Sequence, residues 1–319
     1  MAFFVEPKEN AENIKMVQKN NSNEKGCRIM KKRLLAMLMV LVMVFACAGC
    51  ASEKKEEEAD TEETAEETAE ETEIQVFIAA SLNTVMTEIA GKYNETHPEV
   101  KIIYNADSSG TLLTQIEEGY ECDIFFSAAQ KQMDQLEEDG LVVEGTRENV
   151  VNNQVVVVTL KDSGTKVKGL ETLKDAQSIA LAGGSVPVGK YTRQALTNLG
   201  ILEETDDVST ITTEQVSEAL GGVEISEQDN VSKVLTAVAE GSCEVGTTYY
   251  SDTYGYEDQL DILETVSYDL TGDVIYPVAR VVNEEADDAQ NAAADDFIKY
   301  ILSDEAKEIF DAYYFDTDI

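Results

Sequence analysis

Four short segments of the chain place hydroxyl groups or free backbone N–H groups at predicted helix N-termini. They are residues 79–82 (AASL), 108–111 (SSGT), 187–189 (PVG) and 229–230 (DN). The first turn of a helix has N–H donors without intrahelical partners, and the helix dipole adds partial positive charge there. Several such ends that converge would bind an anion without any lysine or arginine. For each segment alone, ordinary helix capping is a sufficient explanation, so the hypothesis depends on all four acting together.

Residues suited to nucleophilic, acid–base or metal chemistry are scarce. The chain has one histidine, His97, and no tryptophan, which leaves almost no material for a histidine-rich metal site or a Ser-His-Asp triad. Asp123 and Asp252 are candidate catalytic carboxylates, but 63 acidic residues in the chain give these two no special weight. The calcium-loop pattern D-x-[DN]-x-[DN]-G does not occur, and residues 252–256 only approach it. We therefore expect a protein that is not an enzyme, with no cofactor and no metal cation as a direct ligand.

Alternating β-like and helical segments must position the four loops. The predicted strands are residues 74–79, 100–104, 122–127, 155–160, 178–182, 244–249 and 275–282. The predicted helices are residues 82–93, 111–118, 130–139, 187–199, 231–240 and 287–310, and Ser81 stands at the expected N-cap of the first. This alternation predicts an α/β protein with mainly parallel sheets, in which ligands bind beyond the carboxyl ends of the strands.

Composition excludes two broad classes of protein. The 319 residues include 63 Asp and Glu against 24 Lys and Arg, which gives a net charge of −39, and 43% of them are hydrophobic. A chain this acidic is a poor binder of nucleic acid, because phosphate contacts need clustered Lys and Arg. Apolar periodic segments continue from residue 74 nearly to the end, so wholesale disorder is also excluded.

The N-terminal region has the pattern of a secretory signal. We take residues 1–29 as an upstream extension and Met30 as the start, followed by three basic residues and an uncharged run of 16 residues at 34–49. That run is shorter than the roughly 20 residues that span a bilayer. Residues 47–50 (CAGC) resemble a bacterial lipobox, in which Cys50 would carry the lipid after cleavage. The alternative is a plain transmembrane anchor.

An acidic segment separates this signal from the folded part. Residues 51–73 contain 12 acidic residues and no aromatic residue, and we expect a solvated, extended tether. Cys27 and Cys47 precede the proposed cleavage site, so the folded part retains Cys122 and Cys243. We expect buried or reduced thiols there rather than a disulfide, because nothing else suggests a disulfide scaffold.

The order of motifs in the folded part resembles the molybdate-binding protein of bacterial ABC transporters. The resemblance runs from residue 74 to about residue 319 and is carried by residues 76–82 (VFIAASL), 108–117 (SSGTLLTQIE), 123–128 (DIFFSA), 186–191 (VPVGKY), 230–231 (NV), 245–252 (VGTTYYSD) and 276–279 (YPVA). It implies a two-lobed periplasmic binding protein of type II. Each lobe would be a mainly parallel sheet flanked by helices, and the ligand cleft would lie between the lobes.

The resemblance also implies the ligand and its contacts. The ligand would be molybdate or tungstate, bound by the hydroxyl and backbone N–H groups of Ser81 and Ser109, the backbone N–H groups of Val188 and Val231, and the phenol of Tyr249. All these groups donate hydrogen bonds, which suits a fully deprotonated dianion. Hydrogen phosphate would leave its proton unpaired, at a cost of about 1–3 kcal/mol. Sulfate would be too small to reach all the donors.

We therefore expect an exported, lipid-anchored, monomeric binding lipoprotein of an ABC importer. It would close over the ion and deliver it to the membrane permease. The expected divisions are residues 1–49 for the extension and signal peptide (signal about 30–49), 50–73 for the lipidated cysteine and tether, 74–152 with 274–319 for lobe 1, and 153–273 for lobe 2. Three alternatives stay open: a surface sensor, an adhesin with this fold, and a binding protein for another tetrahedral oxyanion such as sulfate.

Overall fold

The computed structural model describes residues 71–319. The predicted signal segment, the lipidation site at Cys50 and nearly all of the tether lie outside the described residues. Within residues 71–319, every helix is too short or too polar to cross a membrane. Cys122 and Cys243 are both buried and are not joined to each other, as the sequence predicts.

Strands and helices alternate through the described chain. In chain order they are β1 (Thr72–Ala79), α1 (Asn83–Asn94), β2 (Val100–Asp107), α2 (Ser109–Glu117), β3 (Ile124–Phe126), α3 (Gln130–Glu138), β4 (Glu148–Val151), β5 (Val155–Leu160), β6 (Ser178–Ala182), α4 (Pro187–Asn198), α5 (Thr213–Ala219), β7 (Glu224–Gln228), α6 (Val231–Ala239), β8 (Val245–Tyr249), β9 (Leu260–Thr265), α7 (Tyr268–Thr271), β10 (Tyr276–Arg280), α8 (Asp288–Ile301) and α9 (Asp304–Ala312). Short 3-10 helices occupy Ala80–Leu82, Leu170–Asp175, Val208–Thr210 and Ser251–Thr253.

The strands form two five-stranded sheets with the same internal order. Sheet 1 has the order β2-β1-β3-β10-β4, and sheet 2 has the order β7-β6-β8-β5-β9. In each sheet four strands point one way, and the fourth strand in the order, β10 or β5, is antiparallel to both neighbours. We call the parts of the chain built on these sheets lobe 1 and lobe 2. The predicted two-lobed type II fold with mainly parallel sheets is confirmed.

The reversed strands are the ones that the chain enters when it changes lobe. It leaves sheet 1 after Val151 and enters sheet 2 at Val155, and it leaves sheet 2 after Thr265 and enters sheet 1 at Tyr276. A strand reached through a helix on the same sheet returns parallel, whereas a strand entered directly from the other lobe is free to run the opposite way. The Asn152 side chain ties the two crossings together, because its Oδ1 accepts the Val274 N–H at 2.8 Å.

Two buried charges hold lobe 1 together. The Asp123 carboxylate accepts the backbone N–H of Gln75 at 2.7 Å and the side-chain amides of Asn283 and Gln290 at 2.8 and 3.0 Å. The Arg280 guanidinium donates to the carbonyl oxygens of Asp123 and Asn291 at 3.2 and 2.8 Å. These bonds join β1, β10 and α8. Asp123 thus has the structural role that the sequence favours over a catalytic one.

The secondary structure differs from the prediction in three ways. The structure adds strands β4, β7 and β9, and helices α5 and α7, to the predicted set. The predicted helix 287–310 is two helices, because Ser303 caps a new helix by accepting the Ala306 N–H at 3.2 Å. Strand β1 begins at Thr72, inside the predicted tether, where Thr72 and Glu73 pair with Val100 and Lys101.

Candidate functional site

A small cavity lies between the two lobes at the ends of their central strands. Lobe 1 and lobe 2 line it with Ala79, Ala80, Ser81, Ser108, Ser109, Ala128, Val186, Pro187, Val188, Val231 and Tyr249. The five predicted contact residues, Ser81, Ser109, Val188, Val231 and Tyr249, are all among them. Within the described part of the chain, the residues that line this cavity are all uncharged.

Three helices begin at the cavity. Helix α2 is capped by Ser108, whose Oγ accepts the Thr111 N–H, and α6 is capped by Asn230, whose Oδ1 accepts the Lys233 N–H. Helix α4 begins with Pro187, which has no N–H group to leave unpaired. The Ser108 and Asn230 caps bind only the N–H group at the third helical position. The N–H groups of Ser109, Val188 and Val231 are also in the first turns of their helices, and they have no intrahelical partner. Their positive helix ends face one small space.

The fourth segment reaches the cavity differently from the prediction. Ser81 is not the N-cap of α1, which begins at Asn83 with Leu82 before it. Instead, Ser81 lies within the 3-10 helix Ala80–Leu82, and its Oγ is 2.9 Å from the hydroxyl of Tyr276 on β10. The Ser81 hydroxyl therefore pairs with a buried side chain that is distant in the sequence, and it makes no hydrogen bond to the backbone of the helix that follows. The expectation that Ser81 caps the helix is therefore wrong, although Ser81 does line the cavity.

The Ser109 hydroxyl is oriented by the backbone behind it. Ser109 is fully buried, and its Oγ accepts the Ala128 N–H at 2.9 Å. An oxygen that accepts this bond keeps its own proton free to donate elsewhere. Because Ser109 lines the cavity, the hydroxyl proton is available to a ligand there.

The Tyr249 hydroxyl has no hydrogen-bond partner among the described residues, although the side chain is only 1% exposed. Burial raises the pKa of this phenol well above its usual value, so the group stays protonated. A buried hydroxyl without a partner costs about 1–3 kcal/mol. Its place on the cavity wall means that a bound hydrogen-bond acceptor would remove that cost.

The two lobes contact each other directly around the cavity. Asn230 Nδ2 of lobe 2 donates to Asp107 Oδ1 of lobe 1 at 3.1 Å. Lys131 Nζ of lobe 1 lies 2.7 Å from Asp207 Oδ2 of lobe 2 and donates to Ser209 Oγ at 2.9 Å. The structure therefore has the closed arrangement, in which donors from both lobes surround the cavity.

A second cavity of about 140 Å³ adjoins the first and shares Ala80 and Ser81 with it. Asp252 lines this second cavity and accepts the Tyr249 N–H at 3.0 Å and the Thr248 hydroxyl at 2.8 Å. Burial raises the pKa of Asp252 to about 6, and these two hydrogen bonds oppose the rise. Since the folded-state pKa lies above the ordinary value of 3.8, the contribution of Asp252 to folding stability falls as the pH rises through about 6.

Asp252→Asn is expected to tighten binding of a dianion at neutral and higher pH. The ionised carboxylate repels a dianion held by the adjacent Tyr249, whereas asparagine retains an acceptor for both hydrogen bonds. We expect an affinity gain of about three- to tenfold near pH 8, and no gain near pH 5, where Asp252 is protonated. Titration calorimetry at both pH values measures this. The control Asp258→Asn removes the same charge from an exposed position, and equal behaviour of the two variants would contradict the prediction.

Sequence reasoning missed several residues around the cavity. Tyr276 and Asn153 lie behind Ser81, and Ala128 lies behind Ser109. Tyr276 and Ala128 both lie in segments that carry the family resemblance, and no other feature of the sequence indicated a role for them near the ligand. Asn153 carried no such signal, because its role depends on contacts with residues 98 and 123 positions away.

The fold and the uncharged cleft define a two-lobed solute-binding protein. The chain belongs to the bacterial extracellular solute-binding protein family, which it matches over residues 74–316. This membership agrees with the prediction that the chain is a binding protein and not an enzyme.

Several relatives cover the same region. The chain is 28% identical over 243 residues to YvgL of Bacillus subtilis, assigned as an ABC transporter substrate-binding lipoprotein, with 76% of this chain and 85% of YvgL covered. It is 28% identical over 249 residues to the molybdate-binding protein ModA of Haemophilus influenzae, with coverage of 76% and 89%. A solved substrate-binding domain assigned to a molybdenum ABC transporter of Clostridium difficile is 30% identical, with a TM-score of 0.56 and coverage of 78% and 100%.

Proposed function

We propose that this protein captures molybdate, or tungstate, for an ABC importer. The observation that carries the proposal is that Ser81, Ser109, Val188, Val231 and Tyr249 line one uncharged cavity between the lobes. The Tyr249 hydroxyl in that cavity, which has no hydrogen-bond partner within residues 71–319, adds independent support. The names of the ModA relatives supply the identity of the ion.

The donor set suits a tetrahedral dianion. Three helix ends, two serine hydroxyls and one phenol supply hydrogen-bond donors and partial positive charge, and no full cation is needed. A fully deprotonated dianion accepts every one of these bonds, whereas a protonated oxyanion brings a donor that finds no acceptor. Sulfate is also a fully deprotonated dianion, but it is smaller, so its oxygens would not reach donors on both walls of the cavity at once. Molybdate and tungstate have nearly equal size and charge, so they should bind similarly.

The same proposal includes delivery and localisation. The lobes, residues 74–152 with 274–319 and residues 153–273, would open to release the ion to a membrane permease. The protein would act as an exported monomer, anchored by a lipid on Cys50 and extended from the membrane by residues 50–73. The relative assigned as a lipoprotein and the extracellular solute-binding family support this arrangement.

Titration calorimetry with molybdate, tungstate and sulfate tests the function directly. We expect saturable binding of molybdate and tungstate at about one ion per protein with submicromolar affinity (about −8 kcal/mol or stronger), and weaker binding of sulfate. Preferential binding of sulfate would favour the other-oxyanion alternative. No binding of any oxyanion would favour a sensor or adhesin and overturn the proposal.

A further inference from the structure

A chain of hydrogen bonds leads from the junction between the lobes to the cavity. Asn153 Nδ2 is 3.2 Å from the Tyr276 hydroxyl oxygen, and that oxygen is 2.9 Å from Ser81 Oγ. Asn153 and Tyr276 are at most 1% exposed and Ser81 is 8% exposed. Asn153 lies within the crossing from sheet 1 to sheet 2, so this chain of three residues joins the crossing to the ligand cavity.

The orientation of the Asn153 amide is fixed by the backbone. Its Oδ1 accepts the Gln154 N–H at 2.9 Å and faces the Ser251 N–H at 3.5 Å. The opposite orientation would place the amide NH₂ group against these two donors. Asn153 Nδ2 therefore points to Tyr276 and to Ser251 Oγ, which it meets at 2.8 Å, and it can only donate to both.

The Asn153 amide donor determines the direction in which the hydroxyl protons of Tyr276 and Ser81 point. The Tyr276 oxygen accepts from Asn153, and Ser81 Oγ is the only other partner of the Tyr276 hydroxyl among the described residues. A buried phenol proton without an acceptor is costly, so Tyr276 donates to Ser81. The Ser81 oxygen then accepts from Tyr276, and its own proton is left for the cavity. Ala128 acts on Ser109 in the same way through a single bond.

We propose that Asn153 and Tyr276 are positioning residues that fix the Ser81 hydroxyl as a donor and thereby make the cleft select deprotonated oxyanions over protonated ones. This inference rests on the proposed function, because it concerns selectivity in the same cavity. A hydroxyl can donate or accept, so serine alone does not exclude a protonated ion. The Tyr276 hydroxyl donates to the Ser81 oxygen, so Ser81 is left to donate to the ligand. Successive hydrogen bonds in such a chain also strengthen one another.

Selenate and hydrogen arsenate form a matched pair of probes for this selectivity. At mildly alkaline pH both are tetrahedral dianions of nearly equal size, but only hydrogen arsenate carries a proton. Their affinity ratio therefore isolates the effect of that proton, and effects of size and charge cancel. The parent protein is expected to prefer selenate strongly.

Tyr276→Phe and Asn153→Asp are expected to lower the selenate-over-arsenate ratio by about tenfold each (about 1.4 kcal/mol). Phenylalanine keeps the ring but leaves the Ser81 oxygen free to accept the arsenate proton. Aspartate at position 153 still accepts a hydrogen bond from the Gln154 N–H. It has no N–H group to donate, so the Tyr276 hydroxyl donates its proton to the carboxylate. The Tyr276 oxygen can then accept a hydrogen bond from Ser81, which frees the Ser81 oxygen to accept the arsenate proton. Tyr104→Phe is the control, because it removes a hydroxyl that bonds the Met86 carbonyl oxygen in lobe 1, outside this chain of hydrogen bonds.

Competition calorimetry against molybdate gives the affinities of both ions for each variant. A lower ratio in the two test variants and an unchanged ratio in Tyr104→Phe support the inference. Equal weakening of both ions, with an unchanged ratio, would show a merely structural role and overturn it while leaving the proposed function intact. A parent protein that binds neither selenate nor molybdate would instead overturn the proposed function, and the inference with it.

Discussion

Ser109→Ala is expected to lower both oxyanion affinity and folding stability. The Ser109 hydroxyl has two tasks, because its oxygen accepts the buried Ala128 N–H and its proton faces the cavity. Alanine removes the donor to the ion and leaves the Ala128 N–H without an acceptor. Each loss is worth about 1–3 kcal/mol, so we expect molybdate to bind about 10- to 100-fold more weakly and the free energy of unfolding to fall by a similar amount. Calorimetry and urea denaturation measure the two effects.

Tyr249→Phe is the matched comparison within the same cavity, because its hydroxyl has no partner in the described part of the protein. Removing that hydroxyl should cost a similar amount of affinity but no stability, and the free energy of unfolding of the protein without ion should stay equal or rise. The two variants therefore separate ligand contact from internal support. If both bind molybdate like the parent, these residues are not ligand contacts. If Tyr249→Phe unfolds as easily as Ser109→Ala, the assignment of Tyr249 as a free donor is wrong.

The fold was largely predictable because the central strands are buried on both faces. Strands β5, β6 and β8 consist almost entirely of buried residues, and β5 and β6 appear in the sequence as short apolar runs. The three missed strands, β4, β7 and β9, are all at sheet edges. Their side chains are partly exposed and of mixed polarity, as in EISEQ of β7. Such segments carry neither a continuous apolar run nor a clean alternation, so pairing with a neighbouring strand decides their structure.

The residues that line the cavity could be predicted from short sequence patterns, whereas the residues that support them from behind could not. Serine before a helix, asparagine before a helix and proline at a first turn each mark a helix end in the sequence. That the ends converge came from the family resemblance, and the structure brings them to one cavity. The contacts of Asn153 and Tyr276 depend on residues far away in the chain. Local spacing carries no information about such contacts.

Helix α4 can approach the cavity only because residue 189 lacks a side chain. A Cβ atom on Gly189 would collide with the carbonyl oxygens of Ala182 and Gly183 at the end of β6, both of them backbone atoms that cannot rotate away. Arg193 stabilises the same contact between α4 and the end of β6. Its fully buried guanidinium donates to the carbonyl oxygens of Ala182, Gly189 and Ile211 at 2.8, 2.9 and 2.8 Å. The position of the Val188 N–H therefore depends on a close contact between helix and strand.

Gly189→Ala is expected to displace α4 and to impair both folding and binding. Overpacking at a backbone contact costs about 1–3 kcal/mol or more, and the displaced helix end moves the Val188 N–H away from the ion. We expect the free energy of unfolding to fall by about that amount and molybdate affinity to fall at least tenfold, as measured by urea denaturation and calorimetry.

Gly91→Ala is the matched control, because Gly91 lies on the exposed face of α1 with open space around its Cβ position. Alanine there should stabilise the protein by about 0.5–1 kcal/mol and leave binding unchanged, since a helix interior favours alanine over glycine. The same substitution is thus expected to have opposite effects on stability at two helical positions, because only one of them lies against the backbone beside the cavity. Unchanged molybdate affinity in Gly189→Ala would mean that the end of α4 does not contact the ion.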